Sequence, residues 1–218
     1  MVDIMRSRFD EQLGLLNRKM IEMGAECESI IALSAKALLE GKASYANKAR
    51  EQGHKIDQME REIESICLKL LLQQQPVAKD LRVISAALKM ITDMERIGDQ
   101  AEDIAEIISF LDGRTGEECR DIRLMAEATI KMVTESIDAY VKQDINLAKS
   151  VIEHDDIVDD AFTSVKQTLI KMITDNSTDG EYAVDLLMIA KYFERIGDHA
   201  VNIAEWVEFS VTGVHKGE

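Results

Sequence analysis

The segment Glu95–Glu106 reads ERIGDQAEDIAE, and Glu194–Glu205 repeats it as ERIGDHAVNIAE. Counted from Met94 and Phe193 onward, nine of the thirteen aligned positions are identical. Self-similarity over such a stretch is the sequence signature of an internal repeat. The repeated segment therefore predicts two similar structural units in tandem.

The residues around the two copies have the pattern of long helices. Proline occurs once and glycine 11 times in 218 residues, so residues that break helices are scarce. Apolar side chains recur three and four positions apart, and no alternating strand pattern is present. Asp144 is a plausible N-cap, and Pro76 suits the first turn of the third helix. Six helices are predicted, at residues 3–40, 44–75, 77–111, 117–142, 145–174 and 181–211.

The six helices fall into two sets of three, and each copy of the repeat lies in the third helix of its set. The loop around Gly113 divides the chain into halves of similar length. The economical architecture is all-α, with two tandem three-helix bundles of six long helices. We assign the bundles to residues 1–112 and 117–218.

Composition excludes several classes of function. Asp and Glu number 41 against 26 Lys and Arg, giving a net charge of −15, so a nucleic-acid partner is disfavoured. No apolar run has the length of a membrane span, and the N-terminus lacks the apolar core of a signal peptide. The three cysteines Cys27, Cys67 and Cys119 are expected to be reduced and buried, as in a cytoplasmic protein.

Each copy of the repeat places two carboxylates one helical turn apart, at Glu95 and Asp99 and again at Glu194 and Asp198. Like charges at this spacing repel by a few tenths of a kcal/mol unless a positive group lies near them. Asp103 extends the first row by another turn.

Gly98 and Gly197 recur inside the two copies, although glycine within a helix costs about 1 kcal/mol relative to alanine. The recurrence predicts that a second helix approaches closely on that side. The buried stripe of the first copy is predicted to contain Ile91, Met94, Gly98, Ala101 and Ala105.

The second helix of each set supplies a possible facing row of carboxylates. Asp155 and Asp159 lie one turn apart in HDDIVDD, which aligns with GHKIDQMERE at 53–62. In this alignment Asp57 matches Asp159, whereas Gly53 stands at the position of Asp155. Two facing rows form an all-oxygen, anionic site for cations such as Mg²⁺, Mn²⁺, Ca²⁺ or Fe, and paired carboxylates can bridge two metals.

Other interpretations of these rows remain open. An acidic row beside an apolar stripe is often a solvated face, and Arg96, Arg195 or a lysine could neutralise it. His54, His154 and His199 lie near the rows and are more readily explained as surface histidines than as ligands. The paired Glu-x-x-His pattern of di-iron bundles is missing, as is a GxxxxGK[ST] phosphate loop, so the residues support no enzymatic mechanism.

The doubled ERIGD, followed by DIAE or NIAE, and QPVAKDLR at 75–82 resemble the PhoU family of bacteria and archaea. The resemblance covers nearly the whole chain as two PhoU domains. It implies two three-helix bundles related by a pseudo-twofold axis, with E/D-x-x-x-D motifs that hold iron or zinc clusters in some members. Gly53 and Asn202 depart from the pattern, each removing one carboxylate from its half. The matching positions are Asp57, Glu95, Asp99 and Asp103 in one half and Asp155, Asp159, Glu194 and Asp198 in the other.

The resemblance also implies a regulatory role without catalysis. PhoU proteins act at the cytoplasmic face of the phosphate ABC transporter, where they contact its ATPase subunit and the phosphate sensor histidine kinase. They restrain uptake and favour the repressive state of the kinase, and they are peripheral to the membrane through these partners. The sequence leaves the oligomeric state open, a homodimer included. Two alternatives remain: a metal-storage or metal-sensing protein, and an oxygen- or metal-dependent enzyme, which the missing histidine ligands disfavour.

Overall fold

A computed structural model describes residues 2–73, 77–116, 120–176 and 178–214, without the side chains of residues 2–8, 43 and 73. Six helices dominate this part of the chain, and it contains no strand, so the all-α prediction is confirmed. Pro76 and Cys119 lie outside the described residues, whereas Cys27 and Cys67 are buried free thiols as predicted. The helices are α1 (Val2–Glu40), α2 (Ala43–Gln73), α3 (Ala78–Ile108), α4 (Arg120–Lys142), α5 (Ile145–Thr174) and α6 (Gly180–Thr212).

The helices pack as two sets of three. Helices α1, α2 and α3 contact one another, as do α4, α5 and α6, which confirms the tandem bundles. The bundles also join each other, because α3 lies along α6 and α1 lies along α4. Buried apolar side chains of both bundles belong to one continuous core. The boundaries at 1–112 and 117–218 stay a prediction. No described helix combines the length and the low charge needed to cross a bilayer.

Local hydrogen bonds explain where the helices begin and end. The Asp144 carboxylate accepts bonds from the backbone amides of Asn146 and Leu147, at 2.9 and 3.1 Å, and so caps α5 as predicted. Helix α3 ends at Ile108 instead of the predicted position 111. The amides of Ser109 and Phe110 there donate to carbonyls only three residues back, and this tighter turn ends the α-helix.

The connection between the two bundles is fastened to the start of α6. Arg114 donates to Asp179 at 2.6 Å, and its guanidinium lies 3.2 Å from the centre of the Tyr182 ring. The Tyr182 hydroxyl accepts a bond from the backbone amide of Gly116 at 3.0 Å. Because Asp179 also caps α6 through the amide of Tyr182, these contacts set the loop and the helix start together.

Both repeated glycines lie where a neighbouring helix comes close. A Cβ atom on Gly98 would stand 3.1 Å from the Ile56 Cδ1 methyl of α2. A Cβ atom on Gly197 would stand 3.0 Å from Asp155 Oδ1 and 3.5 Å from Val158 Cγ1 of α5. The predicted close approach is therefore confirmed in both halves, and all five residues of the predicted stripe are buried.

Helices α3 and α6 run antiparallel, with polar contacts that repeat about a pseudo-twofold axis. Asp93 of α3 accepts a bond from the Asn202 side chain at 3.0 Å and lies 2.9 Å from Nδ1 of His199. On the other side, Tyr192 of α6 is hydrogen-bonded to Asp103 of α3. The repeat aligns Asp93 with Tyr192 and Asp103 with Asn202, so the same pair of positions meets twice. We call these contacts the α3–α6 seam.

The packing at Gly98 predicts a large effect of adding a side chain there. Gly98→Leu should lower the free energy of unfolding by about 2 kcal/mol or more, because the leucine must displace Ile56 from a filled core. Gly14→Leu is the matched control, since the nearest atom to its Cβ would be the mobile Arg18 guanidinium at 3.7 Å. Urea unfolding should show the control unchanged or slightly stabilised. Equal stability of the two variants would contradict the close approach.

Candidate metal centre

Three carboxylates predicted from the sequence come together in the first bundle. Asp57 projects from α2, and Glu95 and Asp99 project from successive turns of α3. One oxygen from each lies within 4.8 Å of the others, and all three residues are half-buried. This trio faces a common space at the α2–α3 contact, beside the Ile56–Gly98 packing. The arrangement has the hard oxygen donors that a divalent or trivalent cation prefers.

Electrostatics in this trio favour the arrival of positive charge. Burial raises the pKa of Glu95, and the Asp99 carboxylate beside it raises the pKa further. Arg96 opposes this, lying 3.5 Å from Glu95 and 3.1 Å from Asp99. Its side chain is 55% exposed, so water screens much of its effect. The predicted neutralisation by Arg96 is thus present but weak, and a bound cation would relieve the remaining repulsion.

A fourth acidic side chain, Glu102, lies near the trio. The alignment of the two halves of the chain did not identify it. A Cβ atom on Gly53 would lie 1.4 Å from Glu102 Oε1, so the Glu102 carboxylate fills the space of a side chain at position 53. Burial raises the pKa of Glu102, and Asp57, Asp99 and Asp103 raise it further. The departure at Gly53 therefore leaves the first bundle with a carboxylate supplied from α3 in place of α2.

The second bundle also has four clustered carboxylates, but there the fourth comes from the other helix of the pair. Asp155 is present on α5, and the position aligned with Glu102 is Val201, which packs against the core. The first half thus combines Gly53 with Glu102, and the second combines Asp155 with Val201 at the aligned positions. The signal was available in the sequence as the difference between EDIAE and VNIAE, but only the α2–α3 contact shows that the two differences compensate.

The four predicted carboxylates of the second bundle also influence one another. Burial raises the pKa of Asp155 to about 6, with smaller contributions from Asp159, Asp198 and Glu194. The pKa of Asp198 is likewise raised by burial and by Glu194. Lys191 binds Glu194 directly, which occupies one of the four acids. Among the described residues, the group with three donor oxygens within 4.8 Å of one another is the trio of the first bundle.

Asp103 and the histidines have other contacts. Asp103 is hydrogen-bonded to Tyr192 across the α3–α6 seam, and burial and the neighbouring Asp99 carboxylate raise its pKa. His199 lies against Asp93 in the same seam, and Nδ1 of His154 lies 3.5 Å from Glu135. His54 is close enough to Glu102 to lower its pKa. The i+4 spacing that suggested Asp103 ignores the second neighbour of α3, which is α6.

Comparisons with known proteins agree with this architecture. The PhoU domain model matches residues 20–108 and 122–207. A protein of Clostridium acetobutylicum, called phosphate-specific transport system accessory protein PhoU homolog, is 32% identical over 95% of this chain and 96% of its own length. A Synechocystis protein of the same name is 35% identical over 95% of this chain and 93% of its own length.

Solved structures of PhoU proteins have a similar fold. The crystal structure of PhoU from Pseudomonas aeruginosa has a TM-score of 0.88 and 32% identity, covering 94% of this chain and 100% of that one. The phosphate transport system regulatory protein PhoU from Streptococcus pneumoniae, at 23% identity, shares the fold with a TM-score of 0.89 over 96% of this chain and 100% of that one.

The exchange between Gly53 and Glu102 predicts coupling between the two positions. Gly53→Asp should destabilise the protein by about 1 kcal/mol, because its carboxylate competes with that of Glu102 for the same space. The penalty should vanish when Glu102→Val is also present, which reproduces the pair found in the second bundle. Gly14→Asp combined with Glu102→Val is the control and should show additive effects in urea unfolding. Additivity at position 53 as well would contradict the exchange.

The raised pKa of Asp155 predicts a pH-dependent effect in chelator-treated protein. The folded protein holds this proton up to about pH 6, whereas the ordinary value is 3.8, so the free energy of unfolding falls as pH rises between these values. Asp155→Asn should therefore stabilise the protein at pH 7.5, by about 1 kcal/mol after allowance for screening, and have little effect near pH 4. Glu127→Gln on the exposed surface of α4 is the control. Equal effects of Asp155→Asn at both pH values would contradict the argument.

Proposed function

Because this chain belongs to the PhoU family, we propose that it is an accessory protein of phosphate transport that regulates uptake and phosphate-starvation signalling. Two family domains cover most of the chain, and relatives of nearly equal length carry the name of a phosphate-specific transport system accessory protein. This full-length agreement is the observation that carries the proposal. The support for the proposal is the family match, and it does not come from a bound ligand or from an active site.

The proposed mechanism is that of a non-catalytic cytoplasmic adaptor. It restrains the phosphate ABC transporter through the ATPase subunit and promotes the repressive state of the sensor histidine kinase. The fold suits an adaptor because both bundles share one core and the α3–α6 seam holds them in a fixed relation. A rigid body with two similar halves presents two related surfaces, one on each bundle, to separate partners. Association with the membrane through these partners follows from the same proposal.

The carboxylate clusters are proposed as metal sites, for iron or zinc, with magnesium, manganese or calcium as other candidates. The first site would use Asp57, Glu95 and Asp99, and the Glu102 carboxylate extends this donor set. The donor atoms fit a cation because they are all oxygen, partly buried and mutually repelling. When bound, the metal would supply positive charge that ties the two helices of a bundle together. The second site would use Asp155, Asp159, Glu194 and Asp198; Asp103 remains a proposed ligand, although its hydrogen bond to Tyr192 makes it the least suited.

The trio of Asp57, Glu95 and Asp99 also favours a second candidate function, in which metal storage or sensing is the primary role. Its donor atoms converge within 4.8 Å without any partner protein. In that case the bundles would serve as a scaffold for the carboxylates. The two candidates differ in what happens to signalling when metal is lost, so they can be separated by variants that remove the ligands.

A pull-down of the tagged protein from phosphate-replete cells tests the adaptor proposal. We expect the transporter ATPase, the sensor kinase or both to be recovered and identified by mass spectrometry. The same tag on an unrelated acidic helical protein of similar charge is the control. Recovery of neither partner, together with normal phosphate-starvation gene repression in a deletion strain, would contradict the proposal.

Variants at the proposed ligands distinguish the two candidates. Glu95→Ala combined with Glu194→Ala should remove bound metal, measured by elemental analysis, because each site loses one carboxylate from α3 or α6. Lost metal with intact repression would make the metal structural, and lost metal with lost repression would tie it to signalling. Glu127→Ala is the matched control and should retain both. Unchanged metal content in the double variant would remove these carboxylates from consideration as ligands.

A further inference from the structure

The hairpin formed by the end of α2 and the start of α3 differs in charge from the rest of this acidic protein. Between Ser65 and Thr92 the sequence has four basic residues and a single acid, Asp80. Asp80 is only 7% exposed, so it adds little to the surface. The chain as a whole has 41 acids against 26 basic residues. This hairpin is therefore a basic region on a molecule of net charge −15. The basic residues are Lys69, Lys79, Arg82 and Lys89.

The same hairpin exposes large apolar side chains. Leu68 and Leu72 lie one turn apart at the end of α2, and Val77 and Leu81 lie one turn apart at the start of α3. Leu72 is 83% exposed, so it protrudes from the surface and lines no groove among the described residues. We call these four apolar residues, together with the four basic residues named above, the basic tip. Helix α6 ends beside it, because the Arg82 stem packs against Gly213.

The internal repeat supplies a comparison within the molecule. The corresponding hairpin of the second bundle, α5 with α6, also exposes Ile170, Ile173, Val184 and Met188. Its charge is opposite, because residues 167–191 contain four acids and two lysines. Since α3 and α6 are antiparallel, this acidic tip lies at the other end of the molecule. Exposed apolar residues are thus common to both tips, whereas the basic character belongs to one. The four acids are Asp175, Asp179, Glu181 and Asp185.

We propose that the basic tip binds the surface of a bilayer that contains anionic phospholipid. Protruding leucines suit the boundary between headgroups and acyl chains, and lysines around them suit lipid phosphates while their stems cover apolar surface. A protein partner would more usually require a groove or a flat face, which the protruding Leu72 does not provide. The charge at the tip complements an anionic surface, as the acidic tip does not.

The net charge of −15 does not oppose this binding strongly. Glu95 lies sixteen residues from Lys79 along α3, which corresponds to about 24 Å at the helical rise. The screening length at physiological salt is about 8 Å, so the carboxylate clusters are several screening lengths from a surface that the tip touches. The acidic tip is farther still. Lys69 and Lys79 therefore act on that surface more strongly than the carboxylate clusters do.

The test uses the full-length protein and vesicles alone, so its result does not depend on the regulatory function proposed above. The protein should cosediment with vesicles of phosphatidylglycerol and phosphatidylcholine, and binding should weaken as sodium chloride is raised. Each lysine near an anionic surface contributes roughly fivefold in partitioning. Lys69→Glu with Lys79→Glu should therefore reduce binding by at least about tenfold. Lys171→Glu is the matched control, because Lys171 aligns with Lys69 in the repeat, and it should bind as wild type.

A second pair of variants tests the apolar contribution. Leu72→Gln should reduce binding several-fold, and Ile170→Gln on the acidic tip should leave it unchanged. Both positions are exposed, so circular dichroism should show all variants folded. Absence of binding, equal binding to pure phosphatidylcholine, or equal losses in the variants and their controls would overturn the proposal. It would also be overturned if the tip variants instead abolished a self-association seen without lipid, since a second copy would then be the occupant.

Discussion

A contact between a branched side chain and a glycine is made once in each bundle, and it determines where the clustered carboxylates lie. Ile56 lies over Gly98 and Val158 lies over Gly197, and the helix axes can approach this closely because neither glycine has a Cβ atom. Once that contact is made, the register of α2 on α3 and of α5 on α6 is fixed. The carboxylates follow from the register, because Asp57 is adjacent to Ile56, and Glu95 and Asp99 flank Gly98 along the helix.

Magnitudes explain why the protein can hold these carboxylates together. Repulsion between exposed or half-exposed acids one turn apart amounts to a few tenths of a kcal/mol per pair. Burial of a single isoleucine such as Ile56, which is fully buried, contributes about 1.5–3 kcal/mol. Packing therefore exceeds the repulsion, and the acids stay clustered without a cation. Arg96 and Lys191 reduce the repulsion further, each beside one cluster.

The helices could be predicted from the sequence because their signals are local: scarce proline, apolar residues three and four apart, and a capping aspartate at position 144. Of the trio in the first bundle, Glu95 and Asp99 followed from the same helical spacing, and Asp57 followed from the alignment of the two halves. Glu102 escaped because an alignment compares matching positions, whereas its carboxylate takes the place of a side chain on another helix. Asp103 was grouped with the trio because periodicity along α3 says nothing about α6, to which it turns. Both cases depend on contacts between residues distant in sequence.

The α3–α6 seam has a consequence for the order in which this protein becomes complete during synthesis. Helix α6 is the last of the six helices to be made, and it covers a face of α3 whose residues were made about a hundred positions earlier. At roughly 5–20 residues per second, that face waits many seconds on the ribosome for its partner. Nascent chains that lack α6 therefore leave this face of α3 uncovered, with Asp93 and Asp103 without their partners on α6. The internal symmetry of the finished fold thus makes the first bundle depend on the last-made helix of the second.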